Sequence, residues 1–327
     1  MISFYHRVKP NPKKVNKPMT NQTQLDQINR ARGALLGLAV GDAIGTTVEF
    51  EARGSFVPLT DMVGGGPFRL QPGQWTDDTS MALCLGASLL EHGFDLADQI
   101  DRYLDWRDDG YMSSNGKCFD VGVATSAAIE RYRTTGETRA GSAKPDSAGN
   151  GSIMRLAPVP IYYLATPELA LKFSAEQSKT THRAPECLMA CQLMAEIMLR
   201  ALRGLPKDKV LAASQQDLPL TPALQALARG DYKNKTEADI EGSGYVVESL
   251  EAALWCFWNT SNFEDCVLMA ANLGDDADTT AAVAGQLAGA FYGESGIPQR
   301  WLKKLTMAAE IGQMAEQLVT QTSKQSE

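Results

Sequence analysis

Apolar residues recur at helical spacing along most of the chain. Segments 25–45, 79–92, 121–133, 167–179, 184–203, 245–258, 263–272 and 279–293 carry them, rich in Ala, Leu and Met. Met81, Leu85 and Leu89 belong to one such pattern, and Leu188, Met194 and Met198 to another. Alternation with a period of two, the mark of a half-buried strand, is scarce. Gly- and Pro-rich breaks at 63–67, 141–151 and 204–207 separate the predicted helices. The polar stretch 205–244 reads as a surface excursion with short helices. No repeat of fixed period and no internal shift in composition divides the chain. The pattern therefore predicts one all-α domain over residues 25–327.

Residues 1–24 break the pattern. Arg7, Lys9, Lys13, Lys14 and Lys17 stand there without an acidic residue, and Pro10, Pro12 and Pro18 oppose a helix. This reads as an extended basic arm, disordered when free. It is either a solvated tail or a grip on an acidic partner surface, anchored by Phe4, Tyr5 and Val8.

Composition narrows the function. Across the 327 residues, 44% hydrophobic and 21% charged residues suit a well-buried core. A net charge of −8 argues against a general nucleic-acid binder. No apolar run is long enough to cross a bilayer. The first residues lack the apolar stretch of a secretory signal, and the six cysteines form no C-x-x-C pair. A cytoplasmic monomer with reduced, mostly buried thiols is the expectation. Only His6, His92 and His182 are present, so any metal would be held mainly by oxygen.

Three acidic stretches adjoin glycines: 41–49 (GDAIGTTVE), 75–79 (WTDDT) and 274–280 (GDDADTT). The second and third each precede an apolar helix. Taken singly, Asp and Thr at a helix start are explained by capping and by the helix dipole. Two such clusters and Glu49 in one chain suggest more. Asp276 and Asp278, two residues apart, suit a turn around an ion better than one helix face. Carboxylates gathered together repel unless a cation lies among them, and hard divalent ions suit oxygen ligands.

Four motifs, GALLGLAVGDAIGTTVEF, QWTDDTSMAL, GNGSIMRLAP and NLGDDADTTAAVAGQLAGAFYG, resemble those of the ADP-ribosylglycohydrolases, in the same order, from about Ala31 to about Trp301. The likeness is to the bacterial branch, which includes dinitrogenase-reductase-activating glycohydrolase. The resemblance implies an orthogonal helical bundle with two divalent cations, Mg²⁺ or Mn²⁺, in a cleft. It assigns metal binding to Thr76, Asp77 and Asp78 on one side and to Asp276, Asp278 and Thr279 on the other. Catalytic roles fall to Glu49, Asp77, Asp278 and Asp120. Substrate binding falls to Asp120, to Gly149, Asn150, Gly151 and Ser152 around the diphosphate and distal ribose, and to His182. Asp275 is left out of the metal set.

Plainer readings accompany these. Gly149–Ser152 alone would be an ordinary turn, although glycines do let backbone N–H groups approach phosphate, and Ser152 can begin an anion-favouring helix. His182 alone would be a core histidine, and Asp120 the N-cap of helix 121–133. Cys187, Cys191, Trp255 and Trp258 read as packing. Asp101, Asp105, Arg107, Asp108 and Asp109 read as a solvated face.

The implied reaction is hydrolysis of ADP-ribose from a modified protein side chain, foremost N-linked arginine. Two other readings stay open. One is a different two-metal phosphoester hydrolase. The other is an immunity protein that also inserts residues 1–22 into an ADP-ribosyltransferase.

Overall fold

The computed structural model describes residues 21–214 and 218–325. Helices run α1 (Asn21–Gly45), α2 (Asp77–His92), α3 (Leu96–Asp109), α4 (Val123–Thr135), α5 (Pro158–Tyr162), α6 (Pro167–Ser178) and α7 (Pro185–Leu202). They continue with α8 (Lys207–Val210), α9 (Pro222–Arg229), α10 (Val246–Asn259), α11 (Phe263–Ala271), α12 (Ala277–Tyr292), α13 (Gln299–Lys304) and α14 (Ala308–Gln325). Among the described residues, extended pairing is limited to isolated bridges, such as Gly149 with Tyr245 and Ser142 with His182. The fold is all-α, as the periodicity predicts. None of the described helices is long and apolar enough to cross a membrane.

Local chemistry sets the helix starts. Proline occupies the first turn of α6, α7 and α9, where its missing N–H leaves no hydrogen bond broken. The Asp95 carboxylate caps α3, accepting from the backbone N–H groups of Ala97 and Asp98 at 2.8 and 3.3 Å. Helix α1 begins at Asn21, four residues inside the expected arm. The rest of that arm, residues 1–20, lies outside the described residues.

The central event of the fold is the antiparallel packing of α1 on α12. Gly33, Gly37, Gly41 and Gly45 recur every four residues and so share one face of α1. They meet Gly289, Gly285, Ala281 and Ala277, which share one face of α12. A Cβ placed on Gly37 would lie 2.3 Å from the Gly285 carbonyl oxygen, and one on Gly41 2.1 Å from that of Ala281. The two backbones therefore touch along four turns. This seam brings the C-terminal end of α1 beside the N-terminal end of α12, the two ends that carry acidic motifs.

Two elements depart from the sequence reading. The charged stretch from Asp101 to Asp109 belongs to α3. Its outward face carries contacts such as Arg107 with Asp108 and Tyr132 with Asp101. Its inward face buries Ile100, Tyr103 and Trp106 against Met81, Cys84 and Ile129. Helix α14 lies beyond the predicted helices and buries Ile311, Ala315, Leu318 and Val319 in the main core. Helix α4 begins at Val123 after Gly122, so Asp120 does not cap it. All six cysteines are free, and all but Cys118 are buried.

Candidate active site

Four segments converge on one acidic cavity of about 410 Å³. The end of α1 and the turn after it supply Asp42 and Glu49. The N-terminus of α2 supplies Thr76, Asp77 and Asp78, and that of α12 supplies Asp276, Asp278 and Thr279. The loop before α4 supplies Asp120. Two helix N-termini thus face the same space, and their dipoles favour anionic side chains there. Glu49, Asp77, Asp120, Asp276, Asp278 and Thr279 line the cavity. Thr76 and Asp78 are almost wholly buried and do not reach its wall.

The carboxylates are close. Oxygens of Asp42, Asp78 and Asp278 lie within 4.8 Å of one another, as do those of Glu49, Asp120 and Asp278. The Thr76 hydroxyl lies 3.2 Å from Asp278 Oδ2 and 3.4 Å from Asp78 Oδ2. The Thr279 hydroxyl is 3.4 Å from the same Asp78 oxygen. Burial first, and neighbouring carboxylates second, push Asp77, Asp78 and Asp278 well above the ordinary range. Glu49 is pushed up to about 9 by burial and by Asp120 and Asp276, and Asp120 to about 7 by burial and by Asp42.

These residues fit a divalent cation. Among the described residues, no Lys or Arg lines the cavity. Buried Asp78 Oδ1 and Glu49 Oε2 have no hydrogen-bond partner among those residues, which is costly in a protein interior. A hard cation among carboxylate and hydroxyl oxygens would remove both the repulsion and the missing contacts.

Asp42 was not singled out by the sequence reading. It is fully buried. Its Oδ1 accepts from the Thr76 backbone N–H and hydroxyl, both at 2.9 Å. Its Oδ2 accepts from the Thr79 N–H at 3.0 Å and hydroxyl at 2.6 Å. With four donors satisfied, Asp42 ties the start of α2 to α1 and orients Thr76. Its signal was an acid inside the otherwise small and apolar run 33–45.

Gly149, Asn150 and Gly151 form another wall of the cavity. Asn150 donates its N–H to the Gly244 carbonyl at 3.0 Å and its Nδ2 to Asp276 Oδ2 at 2.9 Å. The segment is thereby fixed to the acid cluster. The His182 ring packs against it and itself lines the cavity: a Cβ on Gly151 would lie 2.6 Å from His182 Cε1. Burial, and then the Arg155 charge, lower His182 to about 3, so the ring is neutral. Its Nδ1 lies 2.9 Å from the Thr181 hydroxyl.

Ser152 corrects the sequence reading. Its side chain is fully buried and accepts from the Ser178 hydroxyl at 2.7 Å. It neither lines the cavity nor begins a helix, because the chain turns into the core at this point. Arg155, also missed, is a wholly buried guanidinium bonded to Gln177, Thr180 and the Gly151 carbonyl. Asp275 is exposed, consistent with its omission from the metal set. Trp255 is packed as expected, while Trp258 is 38% exposed.

A second cavity of about 740 Å³ shares the Gly149 wall. Tyr245, Glu186, Arg131 and Asp146 help line it, and the Tyr245 hydroxyl donates to Glu186 at 2.6 Å.

A model of the ADP-ribosylglycohydrolase family matches residues 23–327. The chain is 46% identical over 308 residues to ADP-ribosylarginine hydrolase Tri1 of Serratia proteamaculans, covering 94% of this chain and 83% of that protein. It is 48% identical over 292 residues to the protein of the same name from Pseudomonas putida, covering 89% and 78%. It is 36% identical over 287 residues to ADP-ribosyl-[dinitrogen reductase] glycohydrolase of Rhodospirillum rubrum, covering 86% and 92%. Among solved structures, an ADP-ribosylglycohydrolase-related protein complex aligns with a TM-score of 0.81 and 44% identity, covering 91% of this chain and 99% of that one.

Proposed function

The chain belongs to the ADP-ribosylglycohydrolase family, and from that premise we propose that it removes ADP-ribose from modified protein side chains, foremost arginine. The observation that carries the reading is the joining of two cavities at one wall. The acid cluster lies on one side of Gly149 and a larger chamber on the other. A distal ribose at the acids, a diphosphate along Gly149–Gly151 and a nucleoside beyond would fill that shape.

Thr76, Asp77 and Asp78 from α2 and Asp276, Asp278 and Thr279 from α12 would hold two divalent cations, Mg²⁺ or Mn²⁺. Such ions supply Lewis acidity and fix oxygen ligands in place. The protein's own groups do the rest. Glu49 and Asp77 line the cavity, and ionised beside a bound cation either would take the proton of an attacking water. Asp120, half-buried on the same cavity wall, would exchange a proton with the departing guanidine. Glycines at 149 and 151 let backbone N–H groups approach the diphosphate. Neutral His182 backs that wall without adding charge.

The test is incubation with an arginine-ADP-ribosylated protein, with Mg²⁺ or with chelator, followed by product analysis. Metal-dependent release of intact ADP-ribose is the expected result. Release of phosphate would favour a phosphoester hydrolase instead. No release from a metal-loaded protein would refute the proposal.

A further inference from the structure

Two of the most exposed large apolar side chains stand at the mouth of the acidic cavity. Phe50 is 69% and Val123 88% exposed; both border that cavity, and Val123 stands where it meets the larger chamber. Leu25, Val57, Val63, Leu169 and Trp258 are also exposed, and none of them borders it.

The backbone at Phe50 makes the placement specific. Its φ is +67°, a left-handed conformation that is rare for a bulky residue and free of strain for glycine. Its N–H donates to the Asp275 carbonyl at 2.7 Å, and the Asp275 N–H donates to Glu51 at 2.8 Å. Asp275 is itself left-handed, with φ +56°. Two strained residues paired across the cleft edge hold an exposed phenyl ring there. Such outliers persist where the surrounding structure over-determines them, and they cluster at binding sites. Val123 opens α4, where a polar residue would be at least as favourable for the helix.

Charge explains what passes between them. The cavity behind the mouth presents Glu49 and Asp120, and among the described residues no Lys or Arg lines it; His182, the one histidine on its wall, is neutral. It suits a cationic acceptor such as a guanidinium. An acceptor side chain entering the mouth carries its own polypeptide up to the rim. The residues flanking it then come to rest against Phe50 and Val123.

We propose that Phe50 and Val123 are specificity-determining residues that dock the polypeptide around the modified side chain and select apolar neighbours there. The inference rests on the hydrolase reading above and adds a sequence preference to it.

The experiment compares three arginine-linked substrates. These are free ADP-ribosylarginine, a peptide whose modified arginine is flanked by leucines, and the same peptide flanked by serines. The unaltered protein should cleave the leucine-flanked peptide with roughly tenfold higher kcat/KM than the serine-flanked one, carried by KM, as expected for a few well-placed apolar contacts. Phe50→Asn suits the left-handed backbone, and Val123→Ser suits the helix start. Together they should erase that preference and leave kcat on free ADP-ribosylarginine within about twofold. Equal cleavage of the two peptides by the unaltered protein would overturn the proposal. So would a variant that keeps the preference, or one that loses activity equally on all three substrates. If the unaltered protein cleaves none of them, the hydrolase reading fails and the docking inference falls with it.

Discussion

Gly285→Ala in the α1–α12 seam is a one-methyl perturbation with a calculable outcome. The added Cβ would lie 2.1 Å from the Gly37 carbonyl oxygen and 2.8 Å from its carbon. Carbon and oxygen ordinarily meet at about 3.3–3.6 Å, so the two backbones must part by roughly 1 Å. Neither contact atom is a side-chain end that can swing away. Overpacking of this kind costs about 1–3 kcal/mol and occasionally more. Replacing a mid-helix glycine by alanine returns about 1 kcal/mol through propensity. Contact at the backbone places the cost at the upper end, leaving a net loss of about 2 kcal/mol and, for a domain of this size, a Tm lower by roughly 3 °C. The same displacement moves Asp276 and Asp278 relative to α1 and α2, and should weaken Mg²⁺ or Mn²⁺ binding about tenfold. Gly86→Ala is the control. Its Cβ meets the Met314 Sδ at 2.5 Å, the far end of a flexible side chain, so its Tm should hold or rise. Thermal denaturation and titration calorimetry on both variants read these quantities. An unchanged Gly285→Ala protein, or a Gly86→Ala protein equally damaged, would refute the seam argument.

Three further outcomes follow from the site. Glu49 is raised to about 9 and Asp120 to about 7. Carboxyls whose folded pKa is raised contribute stability below about pH 4, and that contribution is lost as pH rises through the folded values. The chelator-treated protein should therefore lose Tm between pH 6 and pH 9, and Mg²⁺ should remove most of that slope. A metal-free Tm that rises over this window would contradict the buried acid cluster. Asp42→Asn replaces one of the two acceptor oxygens by an NH₂ group, which then faces the donors of either Thr76 or Thr79. It should leave a folded protein, checked by circular dichroism, with metal affinity lower by roughly 10–100-fold. His182 is lowered to about 3, so His182→Gln should raise KM while leaving the pH–rate profile between pH 5 and 9 unmoved.

Much of the fold is legible in the sequence, because eight of its helices carry an apolar face and most of them end near Gly or Pro. Helix α3 hides because its Asp and Arg residues dominate the composition, while Ile100, Tyr103 and Trp106 carry the inward face at three-residue spacing. Helix α14 hides because Gln, Glu and Thr surround the few apolar positions that pack. Most of the acidic positions that the motifs single out converge in one cavity, since both Asp clusters begin helices that face each other. Asp42 lay outside that logic, for it sits in the last turn of α1 rather than at a helix start, and far in sequence from its partners. The four-residue spacing of Gly33, Gly37, Gly41 and Gly45, matched by 277, 281, 285 and 289, was the signal that α1 and α12 touch in one register. Ser152 went the other way: a glycine-rich loop suggests an exposed hydroxyl, and only the tertiary turn shows it facing Ser178.

Seam and site are also energetically linked, and the sign of that linkage is testable. The seam holds together helix ends that carry mutually repelling carboxylates. A cation binding across α2 and α12 stabilises the folded protein by an amount set by its affinity. If Gly285→Ala weakens that affinity tenfold, the stabilisation at saturating metal shrinks by about 1.4 kcal/mol. In chelator the variant loses only its packing, and the slight parting of α1 from α12 relieves some repulsion among the acids. The variant should therefore lose more stability in Mg²⁺ than in chelator, by at least that amount in denaturant titrations. By reciprocity, the same energy must appear as weaker metal binding in calorimetry. Equal losses in the two conditions would mean that the seam supports the fold without tuning the site, and the geometric link between α1, α12 and the acid cluster would have to be abandoned.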